Sequence, residues 1–352
     1  MTSGPPIDLL SLFGRFGREQ RISLRDSRAI ELFIESVKAS VAEALSNDAL
    51  LHGQRTQNMF EALVVSLGRY KLLKMEDTGR VHPLGSYTAP DFRVVLRDGA
   101  QWLIEVKNVY ESDPLHQRLR LRKADVEKLT AYAAAVGCPL KLALYWARWR
   151  IWTLVDIAAL ESEGEKFSID MMKAMQLSEL AQLGDRTIGT TPPLRLRLLA
   201  DPSKPRTVAP DGEAMFTIGD AKIFCGDEEI VDPLEQRIAW IFMQYGDWQC
   251  SEPEARLSGE TLEAIEFVWT PRERANEGER FEMIGTLSAM FSRYYAERTL
   301  QQDGIIQTEA ELIPDWFVPL IDGGHKKRAL PLWIFELQPN PTDGRGEAEP
   351  VG

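Results

Sequence analysis

The chain has 352 residues, 44% of them hydrophobic and 27% charged, with 41 Lys+Arg against 53 Asp+Glu and a formal net charge of −12. That length exceeds what a single hydrophobic core usually serves, so more than one domain is expected. The composition is that of an ordinary globular protein, and the negative balance argues against a protein that coats nucleic acid nonspecifically. The charge is uneven: residues 1–160 hold 22 Lys+Arg against 18 Asp+Glu, net +4, and the remainder 19 against 35, net −16. A phosphate backbone would therefore dock on the first part. No apolar run reaches the ~20 residues of a membrane helix, and the start MTSGPPIDLL lacks the basic beginning and apolar centre of a signal peptide. A cytoplasmic location is expected. Cys138, Cys225 and Cys250 are far apart and read as apolar thiols, not as a disulfide framework or zinc knuckle.

Residues 1–25 pass from Gly/Pro-containing sequence into a basic stretch, FGRFGREQRISLRDSR. It reads as a solvated, partly ordered terminus or as an arm that touches phosphate. Over residues 26–45, Ile30, Phe33, Ile34, Val37, Val41 and Leu45 recur at helical spacing, with Asp26 or Ser27 as N-cap, which predicts a packing helix. A second helix spans about 55–67, its buried stripe made by Met59, Phe60, Leu63, Val64 and Leu67. Glu61 lies near its middle, and Gln57, one turn earlier, shares its face. Tyr70-Lys71-Leu72-Leu73 reads as a first strand. The loop 80–89 carries His82, Ser86 and Tyr87, either solvated or within reach of a phosphate oxygen.

Residues 85–110, GSYTAPDFRVVLRDGAQWLIEVKNVY, are the stretch around which the chain is organised. Pro90-Asp91 opens one apolar run, Arg97-Asp98-Gly99-Ala100 forms a turn, and a second run ends in Glu105-Val106-Lys107, the pattern of a β-hairpin. Period-two geometry sets Glu105 and Lys107 on one face, and the antiparallel return brings Asp91 beside them. A hard divalent cation relieves such crowded carboxylates, and Mg²⁺ takes only one or two of them together with water and phosphate oxygens.

Beyond a polar crossing at 108–117, RLRLRKADVEKLTAYAAAVG gives a basic cluster, Arg118, Arg120, Arg122 and Lys123, and then a helix ending at Gly137. The cluster is either a solvated face or a phosphate contact. Strands at 139–145 and 151–155 follow, so the chain crosses from the Glu105 strand through the helix to a parallel strand. Residues 156–186 read as a helical connector, and 187–212, dense in Pro and turn residues with one strand, as a linker. The remainder predicts a hairpin turning at Gly219-Asp220, a helix capped by Asp232, a helix over 281–300 and a closing strand at 332–337. That is an acidic α+β domain for a partner or for regulation, with no basic recognition helix. The 324–328 patch reads as a turn and the tail 341–352 as disordered.

Pro90-Asp91, thirteen residues, and Glu105-Val106-Lys107 resemble the motif of the PD-(D/E)xK nucleases of the restriction-endonuclease-like fold, closest in pattern to the archaeal Holliday junction resolvase type. The resemblance covers about residues 50–160 and includes the order helix, three strands, helix, two strands. It implies an α/β fold with an αβββαββ core at 50–160; the residues around that core read as an arm and packing helix at 1–49, a connector at 161–212 and an α+β domain at 213–340. It also implies a Mg²⁺-dependent deoxyribonuclease, with Mn²⁺ as a substitute ion. Asp91, Glu105 and the carbonyl of Val106 would hold metal, Glu61 would add an outer ligand, and Lys107 would act on the attacking water. Gln57, Ser86, Arg118, Arg120, Arg122 and Lys123 would contact DNA. A homodimer and a prokaryotic defence role controlled through the acidic domain are compatible with the resemblance. A nuclease-like scaffold without turnover is the alternative.

Overall fold

The structure, a computed structural model, describes residues 9–77, 82, 84–209, 212–273, 280–302, 304–321 and 329–340. The 324–328 patch and the 341–352 tail lie outside the described residues. The chain divides into two compact units, Met1–Arg55 and Thr56–Gly352.

In the first unit, α1 (Leu9–Gln20) stands where a partly ordered arm was expected. A tight turn follows it: Ile22 N donates to Gly17 O at 2.8 Å. The Leu24 side chain comes within 2.7 Å of the place a Cβ on Gly17 would take, so a larger residue there would displace Leu24. The helix α2 (Ala29–Leu45) begins later than the expected caps, at Arg28, because Asp26 Oδ1 accepts from Arg28 N and is spent on the preceding turn. Phe33 packs against Phe13 and Phe16 of α1, with ring centroids 5.3 and 5.5 Å apart. The rest of the expected packing stripe, Ile30, Ile34, Val37, Val41 and Leu45, is exposed. Periodicity identified the helix but not what covers it.

The second unit is mixed α/β with several sheets. Helix α3 (Asp48–Leu67) runs into it and is followed by β1 (Tyr70–Met75), β2 (Phe92–Leu96), β3 (Gln101–Val109), β4 (Arg118–Arg122), α4 (Lys123–Val136), β5 (Leu140–Trp146) and β6 (Ile151–Asp156). Five of these strands form one sheet in the order β1-β2-β3-β5-β6. All neighbours are antiparallel except β3 and β5, which α4 joins in parallel. Gly137, at φ 65°, closes α4 in the left-handed conformation that glycine reaches without strain.

Two expectations about this part are corrected. Residues 118–122 are a strand that pairs with β8 (Lys166–Asp170), which in turn pairs with β7 (Glu161–Glu163). The segment 156–186 is accordingly a hairpin followed by one short helix, α5 (Met171–Gln176), and not a helical connector. Gly164, at φ 56°, makes the turn between β7 and β8. Leu119 and Ile169 are buried in a small core with Leu142, Leu144, Trp146 and Val155.

Residues 187–212 hold three strands, Thr187–Thr190, Leu194–Ala200 and Arg206–Val208, where one was expected. Leu194–Ala200 lies between Ile218–Cys225 and Thr261–Thr270 in a six-stranded sheet. The strand Ile218–Cys225 passes straight through the expected turn at Gly219-Asp220. A Cβ on Gly219 would meet the Asp201 Cα at 3.0 Å, so this glycine serves close backbone approach, and the reversal falls instead at Gly226, φ 60°. The helix Pro233–Tyr245 has the expected cap, Asp232 accepting from Leu234 N and Glu235 N at 2.9 and 3.0 Å. Part of the helix expected over 281–300 is a strand, Glu282–Thr286, before the helix Leu287–Thr299. That strand and Leu332–Phe335 pair on either side of Thr187–Thr190.

Side chains from before, within and after residues 161–212 share one core, among them Phe60, Phe92, Leu194, Phe242, Phe291 and Leu330. Trp152 Nε1 donates to Ser292 Oγ inside it at 3.1 Å. Among the described residues no helix is long and apolar enough to cross a membrane. Phe92 is fully buried against Phe60, and Phe60 against Trp152. Phe60→Ala should therefore cost about 3–5 kcal/mol of stability, read as a fall in the urea midpoint at unchanged slope.

Candidate active site

The hairpin joins an alternating strand, β2, to a strand buried continuously over Trp102–Val106, β3. Phe92, Val94 and Leu96 are buried on one face of β2 and fix its register on β3, Phe92 opposite Ile104 and Val94 opposite Trp102. The turn closes with Leu96 N donating to Ala100 O at 2.8 Å, and Gly99 holds φ 98°. One residue beyond the paired Phe92, Asp91 comes level with Glu105.

The carboxylates are tied in from both sides. Asp91 Oδ2 accepts from Val106 N at 2.6 Å, and Oδ1 accepts from Gln57 Nε2 of α3 at 3.2 Å. Lys107 Nζ forms an ion pair with Glu105 Oε1. The Lys107 side chain is one-third exposed while Glu105 is buried, so the ammonium bridges the interior acid and solvent. Burial first, and then the charge of Glu105, push the Asp91 carboxyl up to about 7 against the opposing pull of Val106 N–H and Lys107.

Two acids that sequence reasoning did not single out stand beside this group. Asp77, exposed at the end of β1, adds its charge to the field on Asp91, and Gln57 Nε2 lies 3.5 Å from its Oδ2. Glu76 is buried and donates its N–H to Asp91 O at 2.8 Å. Its carboxylate accepts from Arg93 Nη2 at 2.7 Å and Tyr132 Oη at 2.8 Å. Burial alone would raise the Glu76 carboxyl, but these two hydrogen bonds prevail and hold it below the usual range. The available signal was the pair Glu76-Asp77 at the end of the first strand, but nothing local marks it as facing Asp91.

Glu61 is half-buried on α3, and burial together with the nearby charge of Glu309 raises its carboxyl. Arg118 pairs with Glu163, Arg120 with Glu111 at 2.8 Å, and Arg122 with Asp125 at 2.8 Å. Lys123 Nζ lies over the Phe167 ring. Ser86, like His82 and Tyr87, is exposed in the segment leading to Asp91. Among the described residues no group of three or more His, Cys, Asp or Glu converges to hold a metal. An ion here would rest on Asp91, Glu105, a main-chain carbonyl and solvent or phosphate oxygens, a hard-oxygen donor set of the kind Mg²⁺ accepts.

No protein-family profile and no curated protein matches the chain. Among solved structures it is similar to Hjc, a Holliday junction resolvase from the archaeal hyperthermophile Archaeoglobus fulgidus, at 22% identity over 38% of this chain and 95% of that one, with a TM-score of 0.29. A likeness at that TM-score carries no argument about activity.

With its carboxyl raised to about 7, Asp91 keeps its proton in the folded protein where the unfolded chain, at about 4, has lost it. Its contribution to stability is therefore fully present below about 4 and is lost as pH rises to about 7. Asp91→Asn removes that loss. In metal-free buffer the stability of D91N relative to the parent should rise between pH 5 and pH 8, measured by urea unfolding at both values. A difference that stays flat would contradict the assignment.

Proposed function

We propose that this chain is a metal-dependent nuclease that hydrolyses phosphodiester bonds of DNA. The observation that carries the reading is the convergence of Asp91, Glu105 and Lys107 at one end of a hairpin, two acids with an ammonium between them and solvent. Asp91 and Glu105, with the Val106 carbonyl, would hold Mg²⁺, or Mn²⁺ in its place. Such an ion supplies Lewis acidity at the phosphoryl oxygen and a water activated at neutral pH.

The protein's own groups do the remaining work. Gln57 and the Val106 N–H fix the orientation of the Asp91 carboxylate. Lys107 donates to the attacking water or to a non-bridging phosphate oxygen, where its charge offsets the negative charge that develops in the transition state. Glu76, through its N–H on Asp91 O, keeps the acid at the strand end. The net positive charge of residues 1–160 favours approach of a polyanion.

A second reading, a nuclease-like binding or scaffold subunit without turnover, is favoured by one observation: Arg118, Arg120 and Arg122 already have carboxylate partners. Cleavage of duplex, single-stranded and four-way-junction DNA in Mg²⁺ or EDTA separates the two readings. Asp91→Ala, Glu105→Ala and Lys107→Ala should each lower cleavage by about 10²-fold or more with unchanged circular dichroism. Gln57→Ala should cost less, on the order of tenfold, because Val106 N–H still holds Asp91. Cleavage at parental rates in all three alanine variants would sink the proposal, and binding without any cleavage by the parent would support the second reading.

A further inference from the structure

Helix α2 is exposed along most of its length and carries an apolar seam. Ile30, Ile34, Val37 and Val41 follow the alternating four- and three-residue spacing of a heptad seam, at positions d, a, d and a. Ile30, Ile34, Val37, Val41 and Leu45 are 60%, 58%, 43%, 51% and 61% exposed. Phe33, off this seam, is already taken by Phe13 and Phe16 of α1. Isoleucine and valine are poorer helix formers than alanine, lysine or glutamate, so helix stability does not account for a stripe of them in water.

We infer that this seam is where a second copy of the chain docks, α2 against α2, antiparallel about a two-fold axis. Two observations commit the surface to that occupant. The seam is palindromic about the point between Glu35 and Ser36: reversal sets Ile30 opposite Val41 and Ile34 opposite Val37, so each a residue meets a d residue and the contact is isologous. Its charges are self-complementary in this direction alone. Glu31 and Lys38, both exposed, occupy the two e positions, and the same reversal brings Glu31 within about two residues, ~3 Å along the axis, of Lys38 of the partner subunit. A parallel pairing would instead face e with g, where Phe33 and Ser40 offer no charge.

The pairing does not rest on the nuclease reading and is tested by mass alone. Sedimentation equilibrium of the full chain at micromolar to tens of micromolar concentration should give a dimer. Ile34→Glu with Val37→Glu should give a monomer of unchanged helix content. Glu31→Lys alone and Lys38→Glu alone should each weaken the dimer about five- to tenfold, and the two together should restore it, which misfolding does not imitate. A parent chain that is monomeric throughout this range overturns the inference, and so does a dimer that Ile34→Glu with Val37→Glu leaves intact. Failure of the charge reversal to restore pairing overturns the antiparallel register.

Discussion

Holding Asp91 against Glu105 is the constraint around which the second unit is arranged. Two carboxylates at the end of one hairpin repel, and burial makes the repulsion worse because little solvent screens it. Three things offset that cost: the Val106 N–H on Asp91, the Lys107 ammonium on Glu105, and a proton that Asp91 retains up to about 7. None of these would keep the geometry without the apolar side of the same strands. Phe92 and Val94 lock β2 on β3, and the Phe60, Phe92 and Trp152 rings fix α3, and with it Gln57, over the sheet.

Around this pair the charged groups divide into clamps and exchangeable partners. Glu76, Arg93 and Tyr132 form a clamp: Oε1 of one acid accepts from two donors on different elements, and its main chain holds Asp91 O. The ion pairs of Arg118, Arg120 and Arg122 are of the other kind. Their partners are substantially exposed, and exposed pairs contribute ~0–1 kcal/mol each. On the proposed reading, exchanging a carboxylate for a phosphate there costs little, and the same arginines serve folding without DNA and contact with it.

The charges of the later sheet are structural. Glu266, 2% exposed, accepts from Arg197 at 2.7 Å and pairs also with Arg256. Burial raises its carboxyl, but the two guanidinium hydrogen bonds prevail and lower it. Breaking such a buried group by removing one partner leaves an uncompensated charge. The net acidity of residues 161–352 thus includes acids already committed to strand neighbours, and only its surface remainder is open to a partner.

What the sequence settled by itself is what lies within a few residues: the alternation of β2 and the apolar run of β3, the glycine that ends α4, Asp232 at its helix start, and the spacing that puts Asp91 level with Glu105. Those features follow from backbone geometry and side-chain periodicity, which act locally. The tertiary structure alone decided that the charge of Asp77 also acts on Asp91, and which carboxylates the arginines meet. It also decided that residues 118–122 pair with Lys166–Asp170 and that the α2 stripe is left bare. Each of these depends on distances between groups far apart in the chain, and electrostatic and packing energies are set by those distances, which no local pattern encodes.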